Sequence, residues 1–288
     1  MKNIVFSLVL GSSFIATGSV NAAPQYFSTS QMAQVKIKEL SFREIMRKFY
    51  SGQMGFTSAD DEYIKSMPNI GLGQVDENGM RTVALMHPVG LYDNAKGEPR
   101  YLITIEKVVV FDDSSEYCEP CGSKADLYTF KRLNDGQFQL VSKTKDSVIF
   151  YEKWGTMNLE NNDIQKDLQR LGRDLVGSIF KSVHMVLGET SSWWAALHLP
   201  ENDFINVYYV GDAGTDNGGQ QEEDSPLYYD YKSLIKVMPE NSDYYPIKLT
   251  YKGIPPDDPE LPKFINRSFI MKFNPEKQSY ESVLNYQN

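Results

Sequence analysis

The chain has 288 residues and a formal net charge of −9, so it is long enough to bury a substantial core in one large or two small domains. Its acidity disfavours nucleic acid and anionic lipid surfaces as partners, because phosphate repels it. Aromatic residues, 12% of the chain and mostly Tyr and Phe, suit a β-rich fold.

At the N-terminus, Lys2 precedes an apolar run from Ile4 to Ile15. Val20, Asn21 and Ala22 then place small residues at the outer positions of a secretory cleavage site. The expectation is a signal peptide over 1–22, cut after Ala22, and a mature protein in the periplasm or secreted. Loss of Lys2 takes the formal charge from −9 to −10. No later apolar run reaches the roughly 18 residues of a membrane span, so no membrane insertion is expected.

Residues 23–69 read as an N-terminal helical segment that starts polar and loose. Ser41 to Glu44 resembles a capping box ahead of Phe42, Ile45, Met46 and Phe49, and Ser58 with Asp60, Asp61 and Glu62 predicts a second short helix before Pro68. From residue 70 the pattern turns to strands: 80–91, 101–111, 125–133 and the returning strand at 137–141, with Asn134, Asp135 and Gly136 as a tight turn. Ile164, Leu168, Leu171 and Leu175 share one helical face, which predicts a mid-chain helix near 161–172. Strand patterns resume at 178–187, 193–199, 204–210, 227–235, 245–251 and 264–273.

A strand, an acidic loop and a second strand occur at 101–133 and again at 204–238. The fold class is therefore mainly β (α+β), with two pseudo-repeated antiparallel β meanders, about 70–157 and 173–288, in a single β-rich domain spanning 70–288. Two cysteines in an oxidising compartment imply one disulfide, Cys118 to Cys121. A period-two strand follows them, so the helix N-terminus that activates a redox thiol is missing, and the bond reads as a loop clamp.

Cys118, Cys121, Leu127, Phe130, Asp135, Gly136 and the Asp216, Asn217, Gly218 loop together resemble a loose group of exported proteobacterial proteins with a Cys-x-x-Cys hairpin loop. The resemblance covers about residues 80–235 and implies an architecture alone.

The search for chemistry is mostly negative. His87, His184 and His198 stand apart, with no metal-binding histidine pair, and no nucleophile elbow occurs in the mature chain. Two acidic clusters remain as binding candidates: Asp112, Asp113, Glu116 and Glu119, then Asp212, Asp216, Glu222 and Glu223 beside Asp224. The second partly matches a calcium loop through Asp212, Asp216 and Glu223. Gly214 and Asn217 break that register, so no cofactor is expected and calcium stays as the alternative. Trp193 and Trp194 are candidate platforms for a sugar or a protein, although adjacent strand residues face opposite sides of a sheet, which puts at least one in the core.

These features predict a non-catalytic exported binding protein, of inhibitor or immunity type, meeting a basic envelope protein or toxin through its acidic loops. The alternative is a carboxylate-dependent envelope hydrolase or glycan-active protein.

Overall fold

In the computed structural model, residues 28–56, 59–75, 79–112, 114–115, 122–151, 166–256 and 264–283 are described. The protein is mainly β, with a large, mostly antiparallel sheet system and few helices. Cys118, Cys121, Asp113, Glu116, Glu119 and the signal segment lie outside the described residues.

Three short helices occupy the N-terminal segment: α1 (Thr29–Met32), α2 (Phe42–Phe49) and α3 (Glu62–Lys65). The stretch read as loose thus already carries a helical turn, closed by a capping box between Ser28 and Gln31 and anchored by buried Met32. Ser41 caps α2 by accepting from the Glu44 amide. The cap of α3 is Asp61, not Ser58: its carboxylate accepts from the amides of Tyr63 and Ile64.

The first sheet contains β1 (Lys36–Ile37), β2 (Met54–Gly55), β3 (Asn69–Leu72), β4 (Arg81–Met86), β5 (Gly90–Asp93), β6 (Pro99–Phe111), β7 (Ser114–Ser115), β8 (Ser123–Arg132), β9 (Phe138–Thr144) and β10 (Val148–Phe150). Its spine runs β2, β3, β4, β6, β8, β9, all antiparallel neighbours. The strand expected over 80–91 is split at His87 to Val89, where Pro88 can donate no ladder hydrogen bond. The predicted 134–136 turn forms, with Gly136 at φ 85° and the Gln137 amide donating to Asp135 Oδ1 at 3.0 Å.

Alternation in β6 and β8 sends the two faces of this sheet to different partners. Ile103, Ile105, Tyr128 and Phe130 pack under Ile45, Met46 and Phe49 of α2. Leu102, Ala125 and Leu127 face the other way and meet Val176, Leu197, Leu199 and Ile205 of the second sheet. Helices, first sheet and second sheet are thus stacked layers, each interface sealed by apolar area removed from water.

The second sheet is β11 (Leu168–Arg170), β12 (Val176–Val186), β13 (Glu189–Leu199), β14 (Phe204–Asp216), β15 (Asp230–Val237), β16 (Ile247–Ile254), β17 (Ile265–Asn274) and β18 (Ser279–Val283), each antiparallel to the next. Leu168 to Arg170, assigned above to the mid-chain helix, instead pair with Ser178 to Val176 of β12. On the other side of β12, Gly177 lets β13 approach, since a Cβ there would run into the Leu197 carbonyl. The earlier part of that predicted helix, 161–165, lies outside the described residues.

The two strand–loop–strand units differ in pairing. β6 and β8 are in register from Tyr101 with Phe130 to Lys107 with Lys124, whereas β14 and β15 pair only from Gly214 to Asp216. At its other end β14 makes a short parallel pair with β9, Phe204 with Lys143 and Ile205 with Thr144, which joins the sheets.

Candidate functional site

The junction of the two sheets holds a groove of about 780 Å³. Its walls come from the 145–151 stretch around β10, from Ser182, Trp193 and Ala195 on β12 and β13, and from the 203–209 segment that opens β14. Aromatic rings dominate the lining: Tyr151, Trp193, Tyr208, Tyr209 and Tyr244. Tyr151 meets Trp193 edge-on at 5.2 Å between centroids. Asp146 and Asp203 supply negative charge against Lys145.

One edge of β14 runs along this groove. Strand β13 pairs with it from Asn206 onward, β9 with 204–205 and β15 with 214–216, and β18 lies close alongside. Asp212 is covered by the Ser233 hydroxyl, which donates to its carbonyl at 2.6 Å. Asn206, Val207, Tyr208 and Tyr209 all line the groove, paired with β13 behind and with β18 close beside them, and Tyr208 Oη donates to Gln278 Oε1 at 2.6 Å.

His198 closes the inner end. It is buried, donates to or accepts from the Tyr280 hydroxyl through Nε2 at 2.9 Å, and is ringed by Tyr208, Tyr244 and Phe273. Burial pushes its pKa down to about 3, so it stays neutral and acts as part of an aromatic wall.

Behind the groove, Asp126 organises a polar cluster. Its Oδ2 accepts from Tyr50 Oη at 2.5 Å and pairs with Lys107 Nζ at 2.7 Å. Its Oδ1 accepts from Ser147 Oγ at 2.7 Å. Lys107 also donates to Ser147 Oγ at 2.9 Å. Ser147 therefore donates to a carboxylate and accepts from an ammonium, and the two bonds hold its hydroxyl within the cluster. Burial and the neighbouring Tyr128 and Asp126 raise the Tyr50 pKa well above its usual value, which keeps this hydroxyl a donor. The cluster ties the helix layer to the sheet.

The predicted site residues are scattered. Trp193 lines the groove, whereas Trp194 turns to the opposite face, packs in the core of the second sheet and donates Nε1 to Ser233 at 2.9 Å. Asp212 and Asp216, expected in a loop, are on strand β14; Asp212 accepts from Tyr209 Oη at 2.6 Å. The stretch between them carries a register shift against β13, with Gly214 at φ 147°. Glu222, Glu223 and Asp224 are exposed in the following loop, which Asn217 fastens by donating to the Leu227 carbonyl and accepting from the Tyr229 amide. Asp112 is exposed at φ 48° after β6.

Sequence reasoning missed the groove and the Asp126 cluster. The only trace was the density of aromatics near 193, 208 and 244, which an ordinary strand also shows. No protein-family model, curated protein or solved structure matches the chain.

Proposed function

We propose that this chain is a non-catalytic binding protein of the cell envelope, exported by its N-terminal signal, whose groove takes an extended segment of a basic partner protein. The observation that carries the reading is the groove at the sheet junction, walled by Tyr151, Trp193, Tyr208, Tyr209 and Tyr244. A segment laid there meets these rings as aromatic anchors. Asp146 and Asp203 favour a basic segment, and the exposed Glu222, Glu223 and Asp224 add long-range attraction to the encounter.

Selection of short random peptides on the immobilised protein tests this. Basic ligands are expected, weakened at least about tenfold by Trp193→Ala or by Tyr209→Ala, in line with a lost aromatic anchor. Ligands that ignore both changes would overturn it. A glycan-active alternative draws on the two groove carboxylates: Asp203, whose Oδ1 accepts from the Phe204 amide, and Asp146. Release of fragments from an envelope polymer, abolished by Asp203→Asn, would establish that reading instead.

A further inference from the structure

The outward face of β15–β17 is at odds with the acidity of the chain. Ile235, Val237, Leu249, Met271 and Phe273 point into the core of the second sheet. Alternation then sends Lys232, Leu234 and Lys236, Lys248, Thr250 and Lys252, and Ser268 and Lys272 to the other side. The Thr250 and Ser268 hydroxyls, 3.0 Å apart, show that the strands share this face. Register places Lys232 opposite Lys252 and Lys236 opposite Lys248. Like charges directly opposite destabilise a sheet, so two such pairs are a standing cost that a merely solvated face has no reason to carry. Among the described residues, Asp230, 3.5 Å from Lys232, and Glu281, engaged by Lys277 and opposite Lys272 in register, bring negative charge to its margins. Among the lysines Leu234 is 74% exposed, and Ile254 at the strand end is 42% exposed.

We propose that this lysine-studded sheet face docks on the surface of an anionic phospholipid bilayer. The charge complements lipid phosphate, and Leu234 and Ile254 supply aliphatic groups able to enter the headgroup boundary between the lysine stems. The net charge of −9 does not forbid this. Screening confines each charge to about 8 Å at physiological salt, so the face in contact decides the sign. The inference is independent of the groove, which lies at the sheet junction.

The experiment is flotation of the purified protein with vesicles of phosphatidylglycerol and phosphatidylcholine, against phosphatidylcholine alone. Binding to the anionic vesicles only, falling as salt rises, is expected. Lys232→Gln with Lys236→Gln should weaken it by about twenty-fivefold, roughly fivefold for each lysine near an anionic surface. Leu234→Ser should weaken it a few fold without changing the salt dependence. Thermal unfolding of the lysine variant should show no loss of stability, since a like-charge pair is relieved at each site. Absence of flotation at low salt, or equal flotation of the variants, overturns the proposal. Retention on heparin without flotation would assign the face to a soluble polyanion, and self-association lost in Leu234→Ser would assign it to a second copy; either result overturns the lipid surface.

Discussion

His198 shows how one side chain can be legible in type and illegible in role. Its isolation from other histidines in sequence points to a satisfied core residue, and it is one. Its ring of Tyr208, Tyr244, Phe273 and Tyr280 could come only from strands far apart in the chain. With a folded pKa of about 3 against about 6.5 unfolded, the unfolded chain takes up a proton between those values that the folded chain refuses. Its contribution is therefore complete above about pH 6.5 and is lost as pH falls toward 3, by up to about 1.4 kcal/mol per pH unit. Urea unfolding at pH 6.5 and pH 4.5 is expected to show a smaller acid-induced loss in His198→Phe than in the natural sequence. Equal losses would place the acid sensitivity elsewhere.

At the scale of elements, an ion pair braces the joint between the two sheets beside the β9–β14 pairing and the apolar contacts. Arg100, at the start of β6 and buried, donates Nε and Nη2 to the two carboxylate oxygens of Glu201 at 2.9 and 2.6 Å; Nη2 also reaches Glu98 at 2.8 Å. Glu201 sits in the turn between β13 and β14, so this fork holds the β5–β6 hairpin of one sheet against the turn that leads into the groove strand. Two-point geometry makes the pair stronger than a single contact. Removing Glu201 leaves a buried guanidinium with Glu98 and the Pro99 carbonyl, and Glu201→Ala is expected to cost about 2–3 kcal/mol. Glu201→Gln, which keeps acceptor shape without charge, should cost less. Denaturant midpoints decide the matter, and an unchanged midpoint for Glu201→Ala would show that Glu98 alone suffices.

Across the whole molecule, summed charge and local charge give opposite guidance. The net value of −9 argues against anionic surfaces, yet β15–β17 gather five lysines on one face because period-two alternation sorts polar residues by side. The proposed export bears on the two cysteines as well. Cys118 and Cys121 are expected to be joined outside the cytoplasm, as a loop clamp of modest worth because the ring is short. Thiol titration of the unfolded, non-reduced exported protein should find no free thiol; two free thiols would reject the bond.

The sequence by itself determined the secondary structure wherever a pattern was local. Alternation predicts β6, β8, β12, β13 and β16, the 134–136 turn follows from its residues, and Ser41 marks the start of α2. It failed where a local pattern competed with a distant partner. Leu168 fits a helical face but is taken by the open edge of β12, and the acids at 212 and 216 look like loop until the strand from Phe204 is seen to continue through them. Whether Trp193 or Trp194 faces a ligand depends on which side of the second sheet meets the first, a choice that parity along one strand leaves open. Only the tertiary structure decided which strands wall the groove, which lysines share a face and what Asp126 holds, because each is a relation between residues that the chain brings together only by folding.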